Sequence, residues 1–156
     1  MYNDDGKLIF EGGFKNGKYY EGKIKKYNND EDLDLMFEGE YKNGKLWNGT
    51  FYELNNNSIS GKLANGNGND IKEYNDDGKL IFDGEYKNGE KWNGTIKKYK
   101  YSWGELIFEG EYKDGKYYKG KECNDDNKLI FEGEYKNGEK WNGIIKKYRH
   151  GDKLIF

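Results

Sequence analysis

Apolar and polar residues alternate along most of the chain, in a pattern that keeps restarting. In the stretch FEGEYKNGEKWNGIIKKY, Phe131 to Tyr148, the residues Phe131, Gly133 and Tyr135 fall on alternate positions with Glu132 and Glu134 between them. Period-two alternation with aromatic ends predicts a half-buried β-strand. Near copies begin at Phe10, Phe37, Phe82 and Phe108, a worn copy at Ile59, and a seventh start falls at Phe156. Successive starts are 27, 22, 23, 26, 23 and 25 residues apart, the length of one β-hairpin with its connection. Repetition at such a period decides the architecture before any single motif does.

Each unit then predicts its own hairpin. The first strand is followed by a turn, KNG in most copies, whose glycine (Gly17, Gly44, Gly89, Gly115, Gly138) supplies a positive φ. A second strand runs through YYEGKI or WNGTI. If the aromatic before the turn faces the aromatic six residues later, Phe14 opposes Tyr20, Tyr41 opposes Trp47 and Tyr86 opposes Trp92. The same alignment sets Gly12 against Gly22, Gly39 against Gly49 and Gly84 against Gly94, with Phe10 against Ile24, Phe37 against Phe51 and Phe82 against Ile96. Like then meets like on one face, which is what fixes register. The glycine pairs leave a trough over which neighbouring rings are expected to fold. On the other face Glu11 meets Lys23, Glu109 meets Lys121 and Glu111 meets Lys119, pairs worth roughly 0.2–1 kcal/mol each.

NDDGK (Asn75 to Lys79) and its variants read as return turns. The expected fold is therefore all-β: an elongated antiparallel meander of tandem hairpins in a single twisted sheet. One array spans residues 1–156, with units starting near 8, 35, 57, 80, 106 and 129 and a truncated one at 154–156. Residues 55–70, NNNSISGKLANGNGND, lack the tryptophan slot, so the unit at 57–74 is expected to be degenerate, a weakened repeat or bend ahead of a purpose-made loop. A second irregularity, Glu122-Cys123-Asn124, loses the usual isoleucine and lysines.

Composition sharpens this picture. Hydrophobic residues make up only 33% and charged residues 36%, which alone would suggest disorder, yet 17% are aromatic. With no valine and a single alanine, Ala64, rings must supply most of the burial. The net charge of −2 disfavours nucleic acid, despite the pairs Lys25-Lys26, Lys97-Lys98 and Lys146-Lys147. No apolar run reaches the roughly 20 residues of a membrane span, and MYNDDGKLIF has no signal-peptide character. The expectation is a cytoplasmic protein with no transmembrane segment. Lone Cys123 excludes an internal disulfide framework.

No catalytic constellation emerges. Glu11, Glu38, Asp83, Glu109 and Glu132 recur at one slot, a solvated strand face rather than two carboxylates in different environments. The NDDG turns lack the twelve-residue spacing of a calcium loop, and Gly84 to Gly89 lacks the Gly-Lys-Ser/Thr ending of a phosphate cradle. His150 has no nucleophile beside it, and Cys123 reads as a tolerated small residue. The expectation is a protein without enzymatic activity, cofactor or metal. Its candidate binding surface is the stripe Tyr20, Trp47, Trp92, Tyr118 and Trp141, whose plainer alternative role is the core itself.

Phe131-Glu132-Gly133-Glu134-Tyr135-Lys136-Asn137-Gly138 resembles the first half of a MORN repeat: an aromatic, a glycine, an aromatic and an Asn-Gly turn. The resemblance covers nearly the whole chain and is nearest to bacterial variants, including antitoxin-like proteins of the YwqK type. It departs in one respect, because Gly138 is followed by Gly143 with Trp141 inserted, where MORN units usually bring the next glycine after four residues. The resemblance implies a hairpin array that acts as a scaffold for proteins, with attachment to acidic phospholipid in some members. The functional expectation is a non-enzymatic protein-interaction module, partnered by another protein or by itself. Its alternatives are an immunity or antitoxin-type protein that neutralises a toxin by direct binding, and a carbohydrate-binding aromatic array.

Overall fold

Tight Asn-Gly turns set the first level of structure. A computed structural model describes residues 1–28, 34–54, 57–101 and 104–148, and the backbone of 154 and 155. His150, Phe156 and the first two residues of the 55–70 segment lie outside the described residues. The turns Asn16-Gly17, Asn43-Gly44, Asn65-Gly66, Asn88-Gly89, Asp114-Gly115 and Asn137-Gly138 have positive φ at both residues. Such a pair is the two-residue hairpin turn whose twist matches that of its strands. Around these turns run β1 (Phe10–Lys15), β2 (Lys18–Tyr27), β3 (Leu35–Lys42), β4 (Lys45–Tyr52), β5 (Ile59–Leu63) and β6 (Gly68–Tyr74). They are followed by β7 (Leu80–Lys87), β8 (Glu90–Tyr99), β9 (Leu106–Lys113), β10 (Lys116–Cys123), β11 (Leu129–Lys136) and β12 (Glu139–Ile145). A short pair, β13 (Lys147–Tyr148) and β14 (Leu154–Ile155), ends the chain.

The described residues are thus all-β, an antiparallel hairpin meander with no helix and no closed barrel. The return turns share one device. Asn75 Oδ1 accepts from the Asp77 and Lys79 N–H groups, and Asn124 Oδ1 from those of Asp126 and Lys128, while Asn3 Oδ1 accepts from Lys7 N–H at 2.7 Å. The asparagine thereby closes the loop with its side chain. Replacing Asn75 with alanine should cost about 1 kcal/mol, read as a lower denaturation midpoint at unchanged slope.

The expected single sheet is divided once. Strands β1 to β5 form one sheet and β6 to β12 another, each in sequence order. The division falls in the degenerate unit, for a local reason. Elsewhere glycine faces glycine across the hairpin, but here Gly61 sits against the backbone and side chain of Ile71, which is fully buried. The β5–β6 hairpin is closed by the Ala64–Asn67 bridge and by Ser60 Oγ donating to the Lys72 carbonyl at 2.8 Å. The array nonetheless continues across the break. Gly89 N–H donates to the Gly66 carbonyl at 2.7 Å, and the Phe51 ring meets Tyr86 with centroids 5.9 Å apart.

The core lies on one face and is built from Phe10, Ile24, Phe37, Phe51, Leu63, Ile71, Phe82, Ile96 and Phe108, with Leu46 and Tyr86. Glycine pairs run between these side chains, and their trough is roofed by rings. A Cβ on Gly39 or Gly49 would lie 2.7 or 2.4 Å from Phe37 Cζ, and one on Gly110 or Gly120 2.6 or 2.7 Å from Phe108 Cζ. Rings thus take the space that side chains would fill, which gives this thin structure a continuous apolar layer.

Candidate functional site

The turn-proximal register departs from the sequence expectation, and the departure decides what the aromatic stripe is. Phe10 faces Ile24 and Gly12 faces Gly22 as expected, but Phe14 faces Tyr19, not Tyr20. In the same way Tyr41 faces Leu46 and not Trp47, and Tyr86 faces Lys91 and not Trp92. Each regular hairpin carries a β-bulge just after its turn, and the stripe residue is the extra one. One additional residue reverses the alternation, so its neighbour takes the core-facing slot and the stripe residue turns to the outer face. Tyr20, Trp47, Trp92, Tyr118 and Trp141 are therefore not the core. Tyr19 and Tyr117 pack against the core in their stead, and Leu46 lies within it.

On the outer face each stripe ring is covered by the lysine that precedes its own turn. The Nζ atoms of Lys15, Lys42, Lys87, Lys113 and Lys136 stand 4.8, 5.1, 4.4, 5.1 and 4.2 Å from the ring centroids of Tyr20, Trp47, Trp92, Tyr118 and Trp141. Each such contact contributes roughly 0.5–1 kcal/mol at an exposed site. The bulge also frees a carbonyl that joins one hairpin to the next. Gly44, Gly66 and Gly115 N–H groups donate to the carbonyls of Tyr20, Trp47 and Trp92 at 2.9, 2.6 and 2.9 Å. The asparagine after the tryptophan reinforces the joint: Asn48 and Asn93 Oδ1 accept from the Asn65 and Asp114 N–H groups at 2.8 and 3.0 Å. Their amide nitrogens donate to Glu40 and Glu85. Trp-Asn-Gly is thus a connector motif, and the inserted residue that separates this chain from the usual MORN spacing is the bulge.

Exposure grades along the stripe. Tyr20, Trp47 and Trp92 are half-buried under the next turn, whereas Tyr118 is 40% and Trp141 67% exposed. Beyond the stripe the outer face carries cross-strand ion pairs: Lys25 with Glu38, Lys97 with Glu109, Lys119 with Glu111 and Lys121 with Glu132, at 3.6, 3.1, 3.0 and 3.0 Å. Two grooves cross this face, the one over Gly110, Gly120 and Gly133 enclosing about 500 Å³.

The core face holds two polar clusters that the sequence reading did not anticipate. Tyr86 donates its hydroxyl to Glu73 Oε1 while Lys91 Nζ lies 3.1 Å from Oε2. Thirteen residues again separate the partners when Tyr135 donates to Glu122 Oε1 at 2.6 Å, with Lys140 Nζ at 2.5 Å from Oε2. Burial and the adjacent Glu73 carboxylate push the Tyr86 phenol far above its ordinary value. Burial alone would raise the Glu122 carboxyl, but donation from Lys140 and Tyr135 holds it below the usual range. The signal for these clusters is the loss of lysine or isoleucine at Glu73 and Glu122, visible only once register places each beside a tyrosine and a lysine. Each glutamate is matched by its own donors, which makes these clusters internal braces.

Cys123 ends β10 as a partly buried free thiol. No group of metal-ligating side chains occurs among the described residues. No helix of the described residues is long and apolar enough to cross a membrane. No family model, curated protein or solved structure matches this chain.

Proposed function

We propose that this chain is a non-catalytic binding module for another protein, a MORN-like hairpin array that presents its outer face to the partner. The observation that supports this most directly is the row of five lysine-capped rings, repeated once per regular hairpin and turned away from the core. Rings held by bulges are rigid, and their lysines sit in fixed positions on them. Both features lower the ordering cost of binding an extended surface. The ring faces carry ammonium groups on one side and, at the inner units, the next turn on the other. A flat sugar ring would have to displace them, so the geometry favours protein over carbohydrate.

The test is affinity capture from native lysate with the wild-type chain and with a triple variant, Lys42→Glu, Lys87→Glu and Lys113→Glu. These exposed positions leave the core untouched. A partner held by the wild type and weakened by about tenfold or more in the triple variant is the expected result. Identical capture by both chains would remove the stripe from the account.

A further inference from the structure

We infer that the first and last regular hairpins form the two halves of a head-to-tail contact between copies of this chain. β1 and β12 are the end strands of their sheets. β12 is exposed throughout, with Trp141, Ile144 and Ile145 at 67%, 62% and 63%. Inside the array, the slot of Ile145 is held by Ile24 and Ile96, buried at 4% and 8% under the following hairpin. β12 thus carries the template of an internal seam without its other half, and an unpaired apolar edge of this kind recruits a strand.

The complementary half is β1. The internal seams β2–β3 and β8–β9 share one register: Gly22 with Tyr41, Lys23 with Glu40, Ile24 with Gly39 and Lys25 with Glu38, repeated as Gly94 with Tyr112, Thr95 with Glu111, Ile96 with Gly110 and Lys97 with Glu109. Applied to β12 of one copy and β1 of another, it sets Gly143 against Phe14, Ile144 against Gly13, Ile145 against Gly12 and Lys146 against Glu11. Lys146 and Glu11 occupy the slots of the internal ion pairs Lys25–Glu38 and Lys97–Glu109.

The second pair is the telling one. Where the other strands place Glu40, Lys62, Glu85, Glu111 and Glu134, β1 alone has a glycine, Gly13. Where β2, β4, β8 and β10 place Lys23, Thr50, Thr95 and Lys121, β12 alone has an apolar residue, Ile144. The two departures fall on the two residues that meet, a large apolar side chain opposite an open space: a Cβ on Gly13 would touch nothing within 4 Å. At the turn, Gly17 would supply Trp141 with the cover that Gly115 gives Trp92.

The seam spans these four pairs and the turn contact, because Met1 already holds Phe10 through its ammonium group at 2.7 Å. So short a contact is weak, and because it joins unlike ends it does not close on itself. The inference goes beyond the proposed partner binding and survives its failure, since it needs only a second copy.

Sedimentation of the 156-residue chain from about 10 µM to about 1 mM should show a mass that keeps rising past two copies. Lys146→Glu and Glu11→Lys should each weaken association by about tenfold through like-charge contact, and an equimolar mixture of the two should restore it. Ile144→Lys and Gly13→Glu form a second such pair, which recreates an internal Lys–Glu contact when mixed. A strict monomer at every concentration, a closed dimer, or mixtures no better than the single variants would each overturn the inference.

Discussion

Gly84→Ala is expected to bring the protein close to unfolding, while Gly13→Ala leaves its stability within about 0.5 kcal/mol of wild type or slightly above it. A Cβ on Gly84 would lie 2.1 Å from the Asn93 carbonyl oxygen and 2.6 Å from Gly94 Cα, both backbone atoms of the partner strand. No side chain can move aside, so β7 and β8 must separate at the centre of their hairpin. That opens the ladder and lifts the Phe82 ring from its buried position. A cost on the order of 3–5 kcal/mol follows, set against a total stability of about 5–15 kcal/mol. Gly13 is the fitting control because it stands next to a paired glycine in the first hairpin and has open space where a Cβ would go. Urea denaturation followed by tyrosine and tryptophan fluorescence reads both. Equal losses in the two variants would mean that glycine flexibility, and not the close approach of the strands, is what the position requires.

The same glycine pairs explain why much of the fold was legible. Turn chemistry and period-two alternation are local, and Gly12 with Gly22 or Gly84 with Gly94 fix the far half of each hairpin. The outward turn of the stripe was missed because alignment by ring type ignores the symmetry of the turn. Counting outward evenly from Asn137-Gly138 brings Gly133 opposite Asn142, one residue short of Gly143, and that extra residue is the bulge. The count was available in the sequence. The break between β5 and β6 was partly legible, as a degenerate unit, but not as a division of the sheet. That depends on Ile71 standing where other units place the second glycine, and on Ser60 reaching across to the Lys72 carbonyl. The clusters at Glu73 and Glu122 were not legible, because their partners lie thirteen or more residues away on a neighbouring strand.

Glu73→Ala should be the most damaging polar substitution, and pH should separate its causes. Glu73 takes the Tyr86 hydroxyl and the Lys91 ammonium, with the two charged side chains only 17% and 26% exposed. Removing the carboxylate leaves a buried phenol and a shielded ammonium without their acceptor, a loss of about 2–4 kcal/mol after allowance for partial solvent access. The tyrosines add a pH dependence of definite sign. Burial raises the phenols of Tyr86 and Tyr135, and takes that of Tyr112 up to about 12. A folded-state value above the unfolded one means the native chain keeps its proton after the unfolded chain has lost it. The contribution is therefore full below about pH 10 and declines as pH rises through the tyrosine range towards 12 and beyond. Tyr86→Phe should flatten part of this alkaline decline. Glu73→Ala should lower stability across the whole range and leave most of the decline in place, because burial is the first cause of the Tyr86 shift and the carboxylate only the second. Denaturant midpoints measured from pH 7 to pH 12 distinguish these outcomes. A Tyr86→Phe profile as steep as that of the wild type would show that Tyr86 stays protonated in the unfolded chain as well, and the linkage argument for this cluster would fail.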